Sequence, residues 1–174
     1  ELVEEWKQTG LHGTLVHEEI ESYINEYTTP TEPKSLEGIR WLEGYKMKSD
    51  IEIIPERIIY SKELKIAGTV DILAYDRVKD YYEIIDWKTS KAIKTIPYYG
   101  KMGTTMQTKN IQDCSFNQYA LQLSLYRYLL EECYGININK QLIAHLKDDG
   151  ASAYVAPYMR DTIVDIINNR IIKE

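Results

Sequence analysis

The sequence Ile66-Ala-Gly-Thr-Val-Asp71-Ile-Leu-Ala-Tyr75 is followed, after the polar turn Asp76-Arg-Val-Lys-Asp80, by Tyr82-Glu-Ile-Ile-Asp86-Trp-Lys88-Thr-Ser90. Both stretches are rich in β-branched and aromatic residues, so they predict an antiparallel hairpin. Because side chains alternate along a strand, Asp86 and Lys88 share one face, and the hairpin can set Asp71 opposite them.

Two carboxylates and an ammonium group on a half-buried sheet are costly without a partner. A divalent cation is the usual partner, because hard cations prefer oxygen ligands. The alternative explanation is a structural salt bridge between Asp86 and Lys88, since ion-pair networks can mimic functional sites.

Three motifs together resemble the RecB-like branch of the PD-(D/E)XK nuclease superfamily. Gly68-Thr-Val-Asp71 with Ile84-Ile-Asp86-Trp-Lys88 is similar to the family signature, with Val-Asp in place of Pro-Asp. Gly13-Thr-Leu-Val-His17 resembles the N-terminal Gly-x-x-x-His helix, and Gln122-Leu-Ser-Leu-Tyr126 resembles the Gln-x-x-x-Tyr helix. The motifs occur in the family's order, over about residues 10 to 135. Each motif alone is weak, but the ordered set is specific.

The fold expected from the residue patterns and from the resemblance is α/β, a restriction-endonuclease-like core with a mixed β-sheet flanked by helices. Residues 1–174 are expected to form a single nuclease domain, and the start at Glu1 rather than Met leaves open a fragment of a longer chain. The patterns predict helices and strands in this order: helices 11–27 and 35–48 (with Ser35 as N-cap), strand 51–60 interrupted at Pro55, the hairpin, an irregular segment 91–115, helix 116–134 ending before Gly135, strands 140–147 and 152–158, and helix 161–172.

Asp71 and Asp86 are the first candidates for metal ligands and catalytic residues, because short acids on rigid strands can hold Mg²⁺ or Mn²⁺. The resemblance implies that the backbone carbonyl of Trp87 also binds metal. It further implies that Lys88 stabilises the phosphate or assists deprotonation of water.

His17 and Glu56 are further candidates for the metal. Periodicity alone makes His17 a core histidine, whereas the resemblance places it on the metal and favours Mn²⁺, since nitrogen donors suit the softer ion. Glu56 matches an acid of many relatives, but a surface glutamate beside Arg57 explains it equally well. We assign His12 to a turn and His145 to a strand, both outside the site.

Gln122 and Tyr126 are four residues apart and share a helix face. They either form a buried hydrogen-bonded pair or, as the resemblance implies, border the active site and help to hold the nucleic acid. The residues after the lysine, Thr89, Ser90 and Lys91, are candidates for phosphate contacts.

Composition bounds the class of protein. The net charge of −6 and the pI of about 5.2 argue against a protein that coats nucleic acid, but not against a metal-dependent nuclease. Local positive charge follows the second motif, with no acid between Lys88 and Asp113. The two cysteines cannot supply the four ligands of an iron–sulfur cluster. Without a signal peptide or an apolar span, we expect a soluble intracellular protein, in a bacterial or phage-infected cytoplasm.

The function expected from the resemblance is that of a metal-dependent DNA nuclease, an exonuclease on single-stranded DNA ends in replication, recombination or repair. A helicase or another replication or recombination protein is the expected partner, and no membrane is. The first alternative is an endonuclease on the same core, including the RNA-cleaving cap-snatching type. The second is an inactive nucleic-acid-binding module, although the two acids and the lysine are all present.

Overall fold

A computed structural model describes residues 2–171 of the chain, and the side chains of residues 7–170. Over that range the elements follow one another as α1 (Leu2–Glu26), α2 (Pro33–Lys46), β1 (Ile51–Ser61), β2 (Ile66–Asp76), β3 (Tyr81–Lys88), a 3-10 turn (Tyr98–Gly100), α3 (Ser115–Tyr134), β4 (Ile138–Lys147), β5 (Gly150–Ala156) and α4 (Arg160–Ile171).

The strands form one five-stranded sheet in the order β1-β2-β3-β4-β5. Neighbouring strands are antiparallel except β3 and β4, which are parallel. Short turns join the antiparallel pairs, and α3 provides the long crossover that a parallel pair needs. The expected α/β class and the mixed sheet flanked by helices are confirmed.

Helices cover both faces of the sheet. The apolar faces of α1 and α2 pack on one side against residues such as Ile85 and Trp87. Helix α3 packs on the other side against Ile84 and Ile143, and α4 lies against α3. Strand β3 is therefore buried on both faces from Glu83 to Trp87, as expected for a strand that is covered by helices on each side. Asp86, near the end of this strand, is therefore buried by the packing of the helices on the sheet.

The structure differs from the sequence-based predictions at several helix ends. Helix α1 begins nine residues earlier than predicted, because the preceding segment has no proline and contains several good helix formers, such as Leu2, Glu4 and Lys7, that outweigh Gly10. Ser35 is not an N-cap, since α2 begins at Pro33 and Ser35 lies buried within its first turn. His12 is not in a turn; it lies in α1, where its Nε2 atom is 2.7 Å from Glu32 Oε1.

Other boundaries agree with the predictions to within one or two residues, apart from the predicted end of the last helix at residue 172, which lies outside the described residues. Gly135 ends α3 in the left-handed conformation, with φ 65°. Pro55 lies in β1, an edge strand, where its missing N–H costs least. The 91–115 segment is irregular apart from the 3-10 turn and a bridge between Met102 and Gln112. Among the described residues, none of the helices combines the length and apolar character needed to cross a bilayer.

Candidate active site

The open end of the β2–β3 hairpin brings Asp71 and Asp86 together. Backbone pairing between the two strands runs from Asp76–Tyr81 to Ile72–Ile85 and stops there. One step further, the Trp87 N–H donates to Asp71 Oδ2 at 2.8 Å, so a carboxylate takes the place of the next backbone acceptor. The hairpin prediction is confirmed, and it places both acids where the two strands part.

Strand β1 is distorted beside Asp71. Its pairs with β2 keep one register on both sides of the break, from Pro55–Ile72 to Arg57–Val70. Glu56 therefore faces Asp71, but its φ of 47° is in the left-handed region, which is unusual for a non-glycine residue in a strand. Tyr27, Lys65 and Asp80 have a positive φ where a helix or strand ends, whereas Glu56 has it within a strand, where such strain is a reason to look for function.

Strand β2 also changes its alternation of faces next to Asp71. Val70 packs on the α3 side of the sheet, whereas Ile72 packs on the α1–α2 side. In a regular strand, residues two apart share a face. The alternation therefore shifts at Asp71, and simple periodicity cannot predict the direction of this side chain.

His17, Glu56 and Asp71 form a group of potential metal ligands. One donor atom from each of the three residues lies within 4.8 Å of the others, and His17 Nδ1 is 3.5 Å from Asp71 Oδ1. The group opens into a cleft of about 410 Å³ between α1 and the sheet. Two carboxylates with one imidazole fit a small divalent cation such as Mn²⁺ or Mg²⁺. The sequence allowed His17 to be a core histidine and Glu56 to be a surface glutamate. In the structure both residues lie close to Asp71.

The charges of this group are perturbed by one another. Burial lowers the pKa of His17, but the hydrogen bond and negative charge of Asp71, together with Asp86, outweigh it and leave the pKa raised. Burial and the nearby charges of Asp71 and Glu21 raise the pKa of Glu56. Without a cation, His17 and Glu56 thus favour their protonated forms.

Asp86 lies deeper than the other acids, outside that group of three. It is 4% exposed, and its Oδ2 is 2.6 Å from Lys88 Nζ. The contact is an ion pair without the alignment of a hydrogen bond, because Oδ2 has no hydrogen-bond donor. Burial and the charge of Asp71 raise the pKa of Asp86 even though Lys88 opposes them. The salt bridge between Asp86 and Lys88, which was the alternative to a metal site, is therefore present. It lies beside the group of potential metal ligands.

Helix α3 provides the other partners of Lys88. The Nζ atom donates to Gln122 Oε1 at 3.4 Å, and Gln122 Nε2 donates to the Tyr126 hydroxyl at 3.0 Å. The Tyr126 ring lies against Gly68 of β2, where an added Cβ would come within 2.5 Å of Tyr126 Cε1. The pair thus borders the site, and Gln122 is exposed rather than buried. The sequence analysis did not identify Tyr119, whose ring centroid lies 4.6 Å from Lys88 Nζ. Tyr119 is three residues before Gln122 and so shares its helix face, which could have indicated its place in the site.

Side chains from other parts of the fold bind the backbone carbonyl groups of the residues after Lys88. Lys34 Nζ donates to the Thr89 carbonyl at 2.9 Å, and His145 Nε2 lies 2.6 Å from the Ser90 carbonyl. The side chains of Thr89 and Ser90 are partly exposed and that of Lys91 is exposed, so all three remain candidates for phosphate contacts.

Gly13 is the sequence signal for the close approach of α1 to the end of β3. A Cβ on Gly13 would lie 3.2 Å from Thr89 Oγ1, so this glycine allows the helix to pass close to the end of β3. His17 lies one turn further along the same helix. Sequence reasoning missed Lys34 and assigned His145 only to a strand, and no motif in the sequence marks either contact.

Comparisons with known proteins add little. No family model matches the sequence, and no curated protein matches it. A solved structure described as "Crystal structure of SSO0001" is similar with a TM-score of 0.41 and 19% sequence identity. The match covers 78% of this chain and 57% of that chain, so this chain corresponds to little more than half of that structure. A similarity this low does not assign a function.

Proposed function

We propose that the protein is a metal-dependent nuclease that hydrolyses phosphodiester bonds in DNA. One observation carries the proposal: His17, Glu56 and Asp71 converge within metal-binding distance, directly beside the ion pair of Asp86 and Lys88. Clustered donors with perturbed pKa values in a cleft are typical of functional sites. The three motifs identified in the sequence contribute every one of these residues except Glu56.

His17, Glu56 and Asp71 would hold the cation, and the neighbouring Asp86 and the Trp87 carbonyl are the further candidate ligands. The donor set suits Mn²⁺ or Mg²⁺, with the imidazole favouring Mn²⁺. A bound cation would supply charge neutralisation at the phosphate and a lowered pKa for a water nucleophile.

Lys88 would act on the phosphate itself. Its ammonium lies between Asp86, Gln122 and the ring of Tyr119, and its side chain is only 17% exposed. A cation held in place by three neighbours loses little entropy when negative charge develops nearby, which is how preorganised groups stabilise a transition state. Gln122 and Tyr126 would orient this lysine and contact the strand.

Free ends of single-stranded DNA are the substrate that we propose, and processing of ends in replication, recombination or repair is the proposed role. The open cleft supports access by a strand, and Thr89, Ser90 and Lys91 lie next to the site for phosphate contacts.

Digestion of end-labelled linear and circular single-stranded DNA tests this function. We expect linear DNA to be shortened from its ends with Mn²⁺ or Mg²⁺, circular DNA to resist, and EDTA or the Asp71→Asn variant to stop the reaction. Rapid cleavage of circles would identify an endonuclease, and cleavage of RNA alone would identify a ribonuclease. DNA binding without hydrolysis under any metal condition would leave an inactive binding module.

A further inference from the structure

The loop between β3 and α3, residues 89–114, carries an exposed apolar and aromatic surface. Large side chains of this kind are normally buried or scattered singly. Here they occur within a few residues of one another, and Tyr99 is 88% exposed. The exposed members are Ile96, Tyr98, Tyr99, Met102 and Met106.

The same loop is the positively charged part of an acidic protein. It has four lysines and no acid over residues 89–112, whereas the chain as a whole has a net charge of −6. Ion pairs between described side chains do not use these lysines, which are Lys91, Lys94, Lys101 and Lys109. Their charges are therefore available to a polyanion.

Hydrogen bonds fix both ends of the loop and its middle. Lys94 N donates to Ser115 Oγ at 2.7 Å, and Phe116 N donates to the Lys94 carbonyl at 3.0 Å. Asp113 N donates to the Lys101 carbonyl at 2.9 Å. These bonds tie the loop to the start of α3, the helix that carries Gln122. The surface is thus preorganised, which lowers the entropy lost on binding.

The tip of the loop presents two tyrosines. The rings of Tyr98 and Tyr99 meet edge to face, with centroids 4.3 Å apart and planes at 79°. Tyr99 has a φ of 49°, in the left-handed region that a β-branched or aromatic residue seldom adopts. This conformation leaves one ring almost free of protein contacts while the other supports it.

We propose that the Tyr98–Tyr99 tip is a stacking platform for an unpaired base of single-stranded DNA, with the lysines of the loop binding the flanking phosphates. Aromatic platforms combined with positive charge are the common basis of single-strand binding. The inference rests on the proposed function, because the loop begins directly after Lys88 and ends at α3, the helix that carries Gln122. Exposed aromatic and basic side chains also suit an anionic membrane surface, and the experiment includes that outcome.

Binding of two labelled probes in Ca²⁺ tests the platform. One probe is a dT oligonucleotide, and the other is an abasic oligonucleotide of equal length, with the same phosphates but no bases. For Tyr99→Gly we expect affinity for dT to fall about 5- to 150-fold, the range that stacking of one base provides. Affinity for the abasic strand should change less than about twofold. Glycine is chosen because it accepts the positive φ.

Tyr27→Gly is the matched control, because Tyr27 is also a tyrosine that is 85% exposed with a positive φ, 56°. It lies about 15 Å along α1 from His17, outside the loop. This control should bind both probes like the wild type, and Tyr99→Phe should keep most of the affinity for dT because it keeps the ring. Lys101→Gln should weaken both probes and reduce the salt slope of binding by about 0.7, the value for one phosphate of a single strand.

The outcomes separate this inference from the nuclease proposal. Loss of dT affinity in Tyr99→Gly supports the platform even if no metal-dependent cleavage is found. Equal losses for dT and abasic strands, or no loss for dT, overturn it even if the wild type cleaves DNA. Failure of the wild type to bind dT also overturns it. Binding to phosphatidylserine vesicles that is lost in Tyr99→Gly, with dT binding unchanged, would assign the surface to a membrane instead.

Discussion

The two ends of the β2–β3 hairpin both carry acids, but the acids have different surroundings. At the turn end, the Glu83 carboxylate accepts hydrogen bonds from the Tyr45 hydroxyl at 2.7 Å and from Asn139 Nδ2 at 2.8 Å. Burial opposes ionisation of Asp76, but donors from its own turn and from Ser49 lower the pKa of this carboxyl. These acids have partners for their charge within the protein.

At the open end, the acids face one another. Asp71 is opposite Glu56 and next to Asp86, and the pKa values of both Glu56 and Asp86 are raised. Asp86 Oδ2 has only the unaligned ammonium of Lys88. The comparison teaches that burial alone does not mark a functional acid. Glu83, at 7% exposed, is nearly as buried as Asp86, at 4%, yet it lies outside the candidate site. The open end differs in that its carboxylates face one another, and under the proposed function a bound cation would balance their charge.

The largest effect is expected from Asp71→Asn, which removes a charged ligand while the amide oxygen can still accept the Trp87 N–H. Hydrolysis should fall at least about 1,000-fold, about 4 kcal/mol in the barrier, with little change in the melting temperature. Rates with saturating Mn²⁺ and a thermal melt measure both.

Glu83→Ala is the control from the other end of the hairpin. It leaves the Tyr45 hydroxyl and Asn139 without their acceptor, so it should lower the free energy of unfolding by about 1–3 kcal/mol. Activity per folded molecule should stay near that of the wild type. If Glu83→Ala lost activity and Asp71→Asn lost only stability, the two ends would have been assigned in reverse.

Lys88→Ala should reduce turnover at least about 100-fold, because it removes the cation assigned to the transition state. DNA binding in Ca²⁺ should be kept. Turnover within about tenfold of the wild type would make Lys88 a salt-bridge partner only.

The same variant should also change the pH dependence of stability. A raised folded-state pKa at Asp86 means that stability is lost as the pH rises from the usual carboxyl range through the raised pKa. Without Lys88 this loss should grow, so the variant should be more destabilised at pH 8 than at pH 5. The double variant Asp86→Asn with Lys88→Met should recover stability but not turnover, which chemical unfolding and rate measurements can show.

His17→Ala should weaken Mn²⁺ binding at least about tenfold, about 1.4 kcal/mol, with little effect on the apo melting temperature. A core histidine would behave in the opposite way, with normal metal affinity and a loss of about 1–3 kcal/mol in stability. Metal titration beside an apo melt distinguishes the two.

Variants of the Gln122–Tyr126 pair are expected to have the smallest effects, and Gln122→Ala is the larger of the two. It removes one long hydrogen bond to Lys88 and one to Tyr126, so turnover should fall about 2- to 10-fold, the effect of a lost net hydrogen bond. Tyr126→Phe, which keeps the ring against Gly68, should have a still smaller effect. Equal metal affinity in both variants is the control.

Much of the scaffold could be predicted because its signals are local. The hairpin followed from β-branched residues around a polar turn, and the end of α3 followed from Gly135. The start of α2 did not, because Ser35 is a good capping residue that packing has buried inside the helix.

The site was predicted less completely, because it depends on non-local geometry. The motifs indicated His17 and Asp71. The contact of Glu56 with them depends on a backbone distortion directly after Pro55; the proline predicted an interruption of β1 but not the positive φ of Glu56. Sequence alone placed Asp71 and Asp86 on equal terms, whereas the structure separates an acid in the cleft from one buried beside Lys88. Helix spacing could have indicated that Tyr119 lies beside Lys88. No sequence pattern indicated the contact of Lys34 with the Thr89 carbonyl.

Calorimetric titration of Mn²⁺ into the wild type and into Asp71→Asn, at pH 6 and pH 8, tests the central claim most directly. The raised pKa values of His17, Glu56 and Asp86 mean that a cation must displace protons to bind. We predict that wild-type affinity rises at least about tenfold from pH 6 to pH 8, with release of protons to the buffer, and that Asp71→Asn loses the binding. Equal Mn²⁺ affinity in the two proteins, or affinity independent of pH, would contradict a metal centre at the open end of the hairpin.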